Sequence, residues 1–239
     1  IFGLMEIVNF AHGEFLMLAM YTSFWMYALF ALDPLLSVPV CAAALFALGV
    51  LVYHGVISRI LQGPMLSQIF ATFGLGILLR ASAQFLWTPD FRQVTDPWLA
   101  GPVQLLGISL GRARLVASVA LEATAQDRQA AALMGINTER MFALGWGIGG
   151  ACVGVAGAFL TTFFYVFPDV GSTFGLLAYV TVALGGFGSI PGALVAGVLI
   201  GLLEVLAGLF IAPAFKYAAV FLLYLVVVLV RPQGLLGKF

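Results

Sequence analysis

Long apolar runs broken by short polar turns dominate the chain. Charge-free stretches extend from Phe15 to Leu32, Pro34 to Tyr53, Ile60 to Leu79, Met141 to Pro168, Val170 to Leu203 and Tyr217 to Val230. None alternates apolar with polar residues as a barrel strand would. Backbone in lipid must satisfy its hydrogen bonds within its own segment, so these runs predict transmembrane helices of roughly 20 residues each. Asp33-Pro34 predicts a tight hairpin between the first two, because proline cannot continue a helix and holds the preceding residue extended. Further turns are expected at Arg59 to Pro64, at Phe167-Pro168-Asp169-Val170-Gly171 and at Pro213. The segment from Trp87 to Pro102 carries three prolines, two aspartates, Arg92 and two tryptophans, which suits an interfacial loop anchored by aromatic rings.

The run from Val170 to Leu203 is too long for one span, and Gly185-Gly186-Phe187-Gly188-Ser189-Ile190-Pro191-Gly192 interrupts it. Two segments are expected, about Phe174 to Leu184 and about Gly192 to Ala207, with the glycine-rich break beside a translocation path. The expected architecture is all-α: a polytopic transmembrane helix bundle of about eight spans with broken or short helices, forming one transmembrane domain over residues 1–239.

Composition removes the alternatives. Hydrophobic residues make up 63% and charged residues 8% of the chain, against about 25% charged in a soluble domain. Lipid is therefore the solvent for most of the exterior. Net charge is zero and the basic residues are scattered, so no face could neutralise nucleic-acid phosphates. Cys41 and Cys152 lie inside apolar runs, where each behaves as a small hydrophobe rather than a metal ligand or disulfide partner. The opening Ile1-Phe2-Gly3-Leu4 shows no basic n-region or cleavage site and reads as the tail of a helix already under way, so residues are expected before Ile1.

One stretch falls short. Between Gly107 and Glu122 only about a dozen residues can be helical, about 18 Å of rise or half a bilayer. The helix count on either side nevertheless places the Trp87 to Pro102 loop and the polar segment after Leu121 on opposite faces. Omitted residues near Ala120-Leu121 are the preferred explanation, and a re-entrant segment is the alternative.

Glu122 to Arg140 is a second polar stretch. It reads as a short helix to Met134 capped by Gly135, with Asn137 and Thr138 as N-caps and Glu139 in the first turn of the next helix. On physics alone it is a solvated loop helix. The pattern Asp127-Arg128-Gln129-Ala130-Ala131, three residues and Gly135 resembles the cytoplasmic EAA loop of ABC-importer permeases. Val8-Asn9-Phe10-Ala11-His12-Gly13-Glu14-Phe15, Leu184-Gly185-Gly186-Phe187-Gly188-Ser189-Ile190-Pro191-Gly192-Ala193, Leu133-Met134-Gly135-Ile136-Asn137 and the ending Arg231-Pro232-Gln233-Gly234-Leu235-Leu236-Gly237 look like the signature segments of the branched-chain amino-acid permease family, in its LivH-like form.

The resemblance implies an importer with two permeases, paralogous or identical, two ATPase subunits and a periplasmic binding protein, in the bacterial inner membrane. Residues 121–140 become the coupling loop, with Glu122, Asp127, Arg128, Gln129, Ala130, Ala131 and Gly135 at the ATPase. ATP and magnesium belong to the partner subunits, and this chain carries neither cofactor nor catalytic residue. Gln129 stands where the motif has Glu, and Glu6 where the family has Gly. Gly234-Leu235-Leu236-Gly237-Lys238 lacks the spacing and Ser/Thr of a P-loop. The cargo is a branched-chain or other hydrophobic amino acid, urea or a short amide.

Ionisable groups in lipid are costly and so suspect. Asn9, His12 and Glu14 cluster beside Gly13, either on the path or as interfacial caps. Thr72 joins the candidate path residues, as do Gly185, Gly186 and Gly188. Glu204 lies within an apolar run, and the Gly197 to Gly201 spacing predicts close helix packing. The rival function is an ion-coupled secondary transporter, which also uses broken helices but needs no coupling loop. A membrane hydrolase would need a pair such as His12 with Ser189 or Ser67.

Overall fold

The computed structural model describes residues 9–61, 63–95, 97–98, 102–105, 108–111 and 138–237. Seven apolar helices fill most of this: α1 (His12–Phe30), α2 (Pro34–Val52), α3 (Met65–Trp87), α4 (Thr138–Thr161), α5 (Val170–Gly185), α6 (Ile190–Phe210) and α7 (Lys216–Val230). A π turn, Tyr53–Ile57, extends α2 to Ile60, and an antiparallel hairpin joins Pro102–Leu105 (β1) to Ile108–Gly111 (β2), with Pro102 opposite Gly111. Five helical stretches are long and apolar enough to cross a bilayer: Pro34–Ile60, Leu66–Trp87, Phe142–Thr161, Pro191–Phe210 and Pro213–Val230. With α1 at 19 residues and α5 at 16, the described residues hold five to seven spans, fewer than the eight expected.

Local chemistry explains the boundaries. α1 ends at Ala31 in the left-handed region (φ 52°), whose N–H reaches back to the Tyr27 carbonyl. Asp33 then caps α2 by accepting from Leu35 N at 2.9 Å, and Pro34 takes the first turn, where its missing N–H costs nothing. α3 runs through Arg80 to Trp87 instead of stopping at Leu79, because that guanidinium is paired within the protein. α4 stops at Thr161, seven residues short of Pro168, and the hydroxyls of Thr161 and Thr162 turn back onto the Gly157 and Phe159 carbonyls. The break expected at Gly185 to Gly192 narrows to residues 186–189. Ser189 caps α6 by accepting from Gly192 N at 3.1 Å, and Pro191 sits in its first turn.

The chain divides into two compact units, Met5–Gly175 and Leu176–Phe239. In the first, α2 and α4 share the most extensive interface and α1 lies against both. Backbone closeness explains it. A Cβ on Gly154 would stand 2.5 Å from the Cys41 carbonyl oxygen, and one on Gly147 2.7 Å from the Phe46 ring; Gly150 abuts the Leu45 carbonyl, Gly49 that of Trp146, and Gly157 the Ala19 methyl. The spacing 147, 150, 154, 157 places this stripe on one face of α4. Around it Phe15, Leu45, Tyr53, Trp146 and Val153 form the core, and a second cluster gathers Met17, Met20, Tyr21, Ala83, Val166 and Val170. The close packing expected at Gly197 and Gly201 is not seen among the described residues: the nearest neighbour of Gly197 is a Thr181 methyl at 3.7 Å, and Gly201 has none within 4 Å. In the second unit Val180, Leu184, Ala196, Ile200 and Val220 knit α5, α6 and α7 together.

The ends of the first unit are fixed by contacts. Trp98 N donates to Asp33 Oδ2 at 2.6 Å and Tyr27 bonds Thr95, so the loop after α3 meets the α1–α2 turn. Glu139, at the start of α4, lies 3.9 Å from His54 at the far end of α2. Those points are 21 residues apart along α2, about 32 Å at helical rise. The loop after α3 and the start of α4 therefore occupy opposite ends of this unit.

Candidate functional site

Asn9, His12, Glu14 and Thr72 converge where α1 begins. Asn9 Oδ1 accepts from Ala11 N at 3.0 Å and its carbonyl from His12 N at 3.3 Å, an Asx-type turn that starts the helix. Phe10 N donates to Thr72 Oγ1 at 3.3 Å, and that hydroxyl also bonds the Gln68 and Ile69 carbonyls, so Thr72 both follows the common habit of its residue type and ties α3 to the break. A cavity of about 10 Å³, the size of one water, opens between Asn9, His12, Trp146 and Gly150.

Glycine lets α1 meet α5 at the same level. Gly13 abuts the Gly171 carbonyl, and a Cβ on it would stand 2.9 Å from Gly175 Cα. Two helix N-termini, with their positive dipole ends, thus meet beside Glu14. Arg80 donates from Nε to Glu14 Oε1 at 3.1 Å and from Nη2 to the same oxygen, while its Nη1 lies 3.8 Å from Asp169 Oδ1. Glu14 is almost wholly buried, and its Oε2 has no hydrogen-bond partner among the described residues. The Gly76 Cβ position is 3.6 Å from both Ala11 Cα and Glu14 Cγ, so Arg80, one turn further on, leans back toward the start of α3 to reach the carboxylate. Gly76 is 11 residues from Trp87, about 16 Å along a helix, which sets this cluster midway along the membrane-capable stretch Leu66–Trp87.

Gly185, Gly186 and Gly188 stand in the second unit and serve a different local geometry. Leu235 N donates to the Leu184 carbonyl at 2.8 Å and Leu236 N to that of Gly185 at 3.0 Å, so the segment after α7 satisfies the carbonyls that end α5. Gly186 (φ 99°) leaves no room for a side chain, because a Cβ would meet Gly237 and, at 2.8 Å, the Gln233 carbonyl oxygen; Gly234 (φ 82°) fits equally tightly against Gly186 N at 2.5 Å. Gly188 has φ 81° with open space, so its requirement is conformational alone. Two glycine-rich sequence segments are thereby shown to be two halves of one interlock.

Arg80 and Asp169 were not singled out from sequence as site residues, although Arg80 is the lone charge between Ile60 and Trp87 and that isolation is a usable signal. The coupling residues Glu122, Asp127, Arg128, Gln129, Ala130, Ala131 and Gly135, the proposed break at Ala120-Leu121 and Glu6 lie outside the described residues.

Five helices long and apolar enough to cross a bilayer among the described residues mark a multi-pass membrane protein. Residues 116–230 match the family model described as branched-chain amino acid transport system / permease component. The high-affinity branched-chain amino acid transport system permease protein LivH of Escherichia coli K12 is 29% identical over all of this chain and 88% of its own length; BraD of Pseudomonas aeruginosa is 28% identical over the same shares. A probable LivH from Methanocaldococcus jannaschii is 25% identical over 97% of this chain and 84% of its own. Along its whole length the chain is similar to branched-chain amino acid transport permeases. No solved structure matches it. The alignment to the Escherichia coli relative runs over 273 positions for a chain of 239 residues, leaving 34 positions without a counterpart here, more than the roughly 20 residues of one span.

Proposed function

We propose that this chain is a translocating subunit of an ATP-driven importer for branched-chain or similarly hydrophobic amino acids, seated in a bacterial inner membrane and catalysing no reaction itself. The observation that carries this is the start of α1 against the start of α5, two helix N-termini beside buried polar groups, in a chain aligned along its whole length with branched-chain permeases. Helix N-termini and irregular backbone are tolerated inside a bilayer only beside a protein-lined or water-filled path. Asn9, His12, Glu14 and Thr72 line the path, and Gly185, Gly186 and Gly188 are path residues by their place in the glycine-rich break. Glu122 to Met134 is the coupling helix, its small residues Ala130 and Ala131 entering a groove on an ATPase subunit that holds ATP and magnesium. A second permease, two ATPases and a periplasmic binding protein complete the assembly. Affinity purification from the native membrane tests this: ATPase subunits and a second permease should copurify, and a chain that purifies alone yet drives ion-coupled uptake would establish the secondary-transporter reading instead.

A further inference from the structure

The Glu14–Arg80 cluster lies outside what similarity to those permeases explains. Arg80 keeps a third of its side chain exposed, at a depth where a guanidinium facing lipid would be costly. The face that carries it must therefore meet something polar. Residues 73, 77 and 80 share that face of α3 by helical spacing, and Phe73 and Ile77 are both exposed, at 54%. Phe10, 40% exposed, packs edge-on against Phe73 with ring centroids 6.5 Å apart. An apolar floor thus adjoins a charged head. In that head Arg80 spends Nε and Nη2 on one Glu14 oxygen, while Nη1 stands beyond hydrogen-bond distance of Asp169 and Glu14 Oε2 is unpartnered among the described residues.

A buried carboxylate oxygen without a donor, beside a guanidinium with donors to spare, is complementary to a molecule carrying a cation and an anion one carbon apart. We propose that Arg80 and Glu14 bind the zwitterionic head of the transported amino acid, Arg80 taking its carboxylate and Glu14 Oε2 its ammonium, with Phe10, Phe73 and Ile77 receiving the aliphatic side chain. Asp169, at the start of α5, holds Arg80 loosely until the cargo carboxylate replaces it. Gly171 is part of the site, because a Cβ there would stand 2.5 Å from Glu14 Oε2 and close off the oxygen that receives the ammonium.

This inference rests on the amino-acid importer reading, and the test separates the two. The intact complex is reconstituted in proteoliposomes, and leucine uptake is measured against leucinamide, which lacks the carboxylate, and 4-methylpentanoate, which lacks the ammonium. Arg80→Gln should raise the KM for leucine at least tenfold and abolish its advantage over leucinamide; Glu14→Gln should abolish its advantage over 4-methylpentanoate. Because either single change strands a buried charge, the neutral pair Glu14→Gln/Arg80→Gln is measured beside them; an unchanged KM and unchanged discrimination in that variant overturn the site. Phe73→Trp, at an exposed position that accepts bulk, should lower leucine uptake at least tenfold relative to alanine, and an unchanged ratio likewise overturns it. A wild-type complex that moves no amino acid overturns both the site and the reading beneath it.

Discussion

Gly154→Ala should unlatch the central helix pair. The added Cβ would stand 2.5 Å from the Cys41 carbonyl oxygen, 2.8 Å from its carbon and 3.0 Å from Ala42 Cα. Every one of those atoms is backbone, so no rotamer change relieves the clash and α2 must move away from α4 by about 1 Å, forfeiting a large part of the dispersion along the seam. Overpacking of this kind costs about 2–3 kcal/mol, or roughly 30- to 150-fold in a two-state equilibrium. For a chain of this size that corresponds to a fall of about 5–10 °C in the melting temperature measured in detergent micelles. The comparison set is internal: Gly74, Gly145 and Gly201 have nothing within 4 Å of a Cβ, and alanine there should be neutral or stabilising by up to about 1 kcal/mol. Equal melting temperatures for Gly154→Ala and Gly201→Ala would refute the reasoning.

Other outcomes test the interlock after α7 and the coupling assignment. Gly186→Ala or Gly234→Ala, each at positive φ and against backbone, should release the segment after α7 and expose residues 231–237 to limited proteolysis, with Gly188→Ala milder because its surroundings are open. Ala130→Trp or Ala131→Trp should abolish transport while leaving membrane insertion intact; normal uptake would remove the coupling assignment. Single cysteines at Thr95 and Asp127, in a background without Cys41 and Cys152, should label from opposite sides of the membrane. Labelling from one side would mean that Leu110 to Ala120 is re-entrant and that the coupling segment has to be placed again.

How much was legible depended on whether a feature is local. The hairpin at Asp33-Pro34 and the break before Ser189-Ile190-Pro191 are written in short-range rules for caps and proline, and both stand where those rules put them. Arg80 was treated as a helix edge because a charge ends an apolar run on paper; its partner Glu14 is 66 residues away, and only tertiary contact shows that the helix continues through it. The glycines that pack are those on α4, not those on α6, since which face of an apolar helix meets protein is decided by its neighbours and not by the Gly-x-x-x-Gly spacing. Gly186 and Gly234 are each recognisable as turn residues, but their mutual fit joins segments nearly 50 residues apart, which no local rule addresses.

The placement of α4 bears on the length of the chain. Glu139 beside His54 and Trp98 on Asp33 put the two flanks of residues 99–137 at opposite ends of the unit, about 32 Å apart at helical rise. The alignment to the Escherichia coli relative leaves 34 positions without a counterpart here, and where they fall is not fixed by its length.

Uptake of radiolabelled leucine into proteoliposomes holding the chain with its copurified subunits is the most direct measurement of the central claim. Accumulation should require ATP on the side of the ATPases, stop when hydrolysis is blocked, and persist when ionophores collapse every ion gradient. Uptake that proceeds without ATP and vanishes with the ionophores would contradict an ATP-driven permease and establish an ion-coupled carrier in its place.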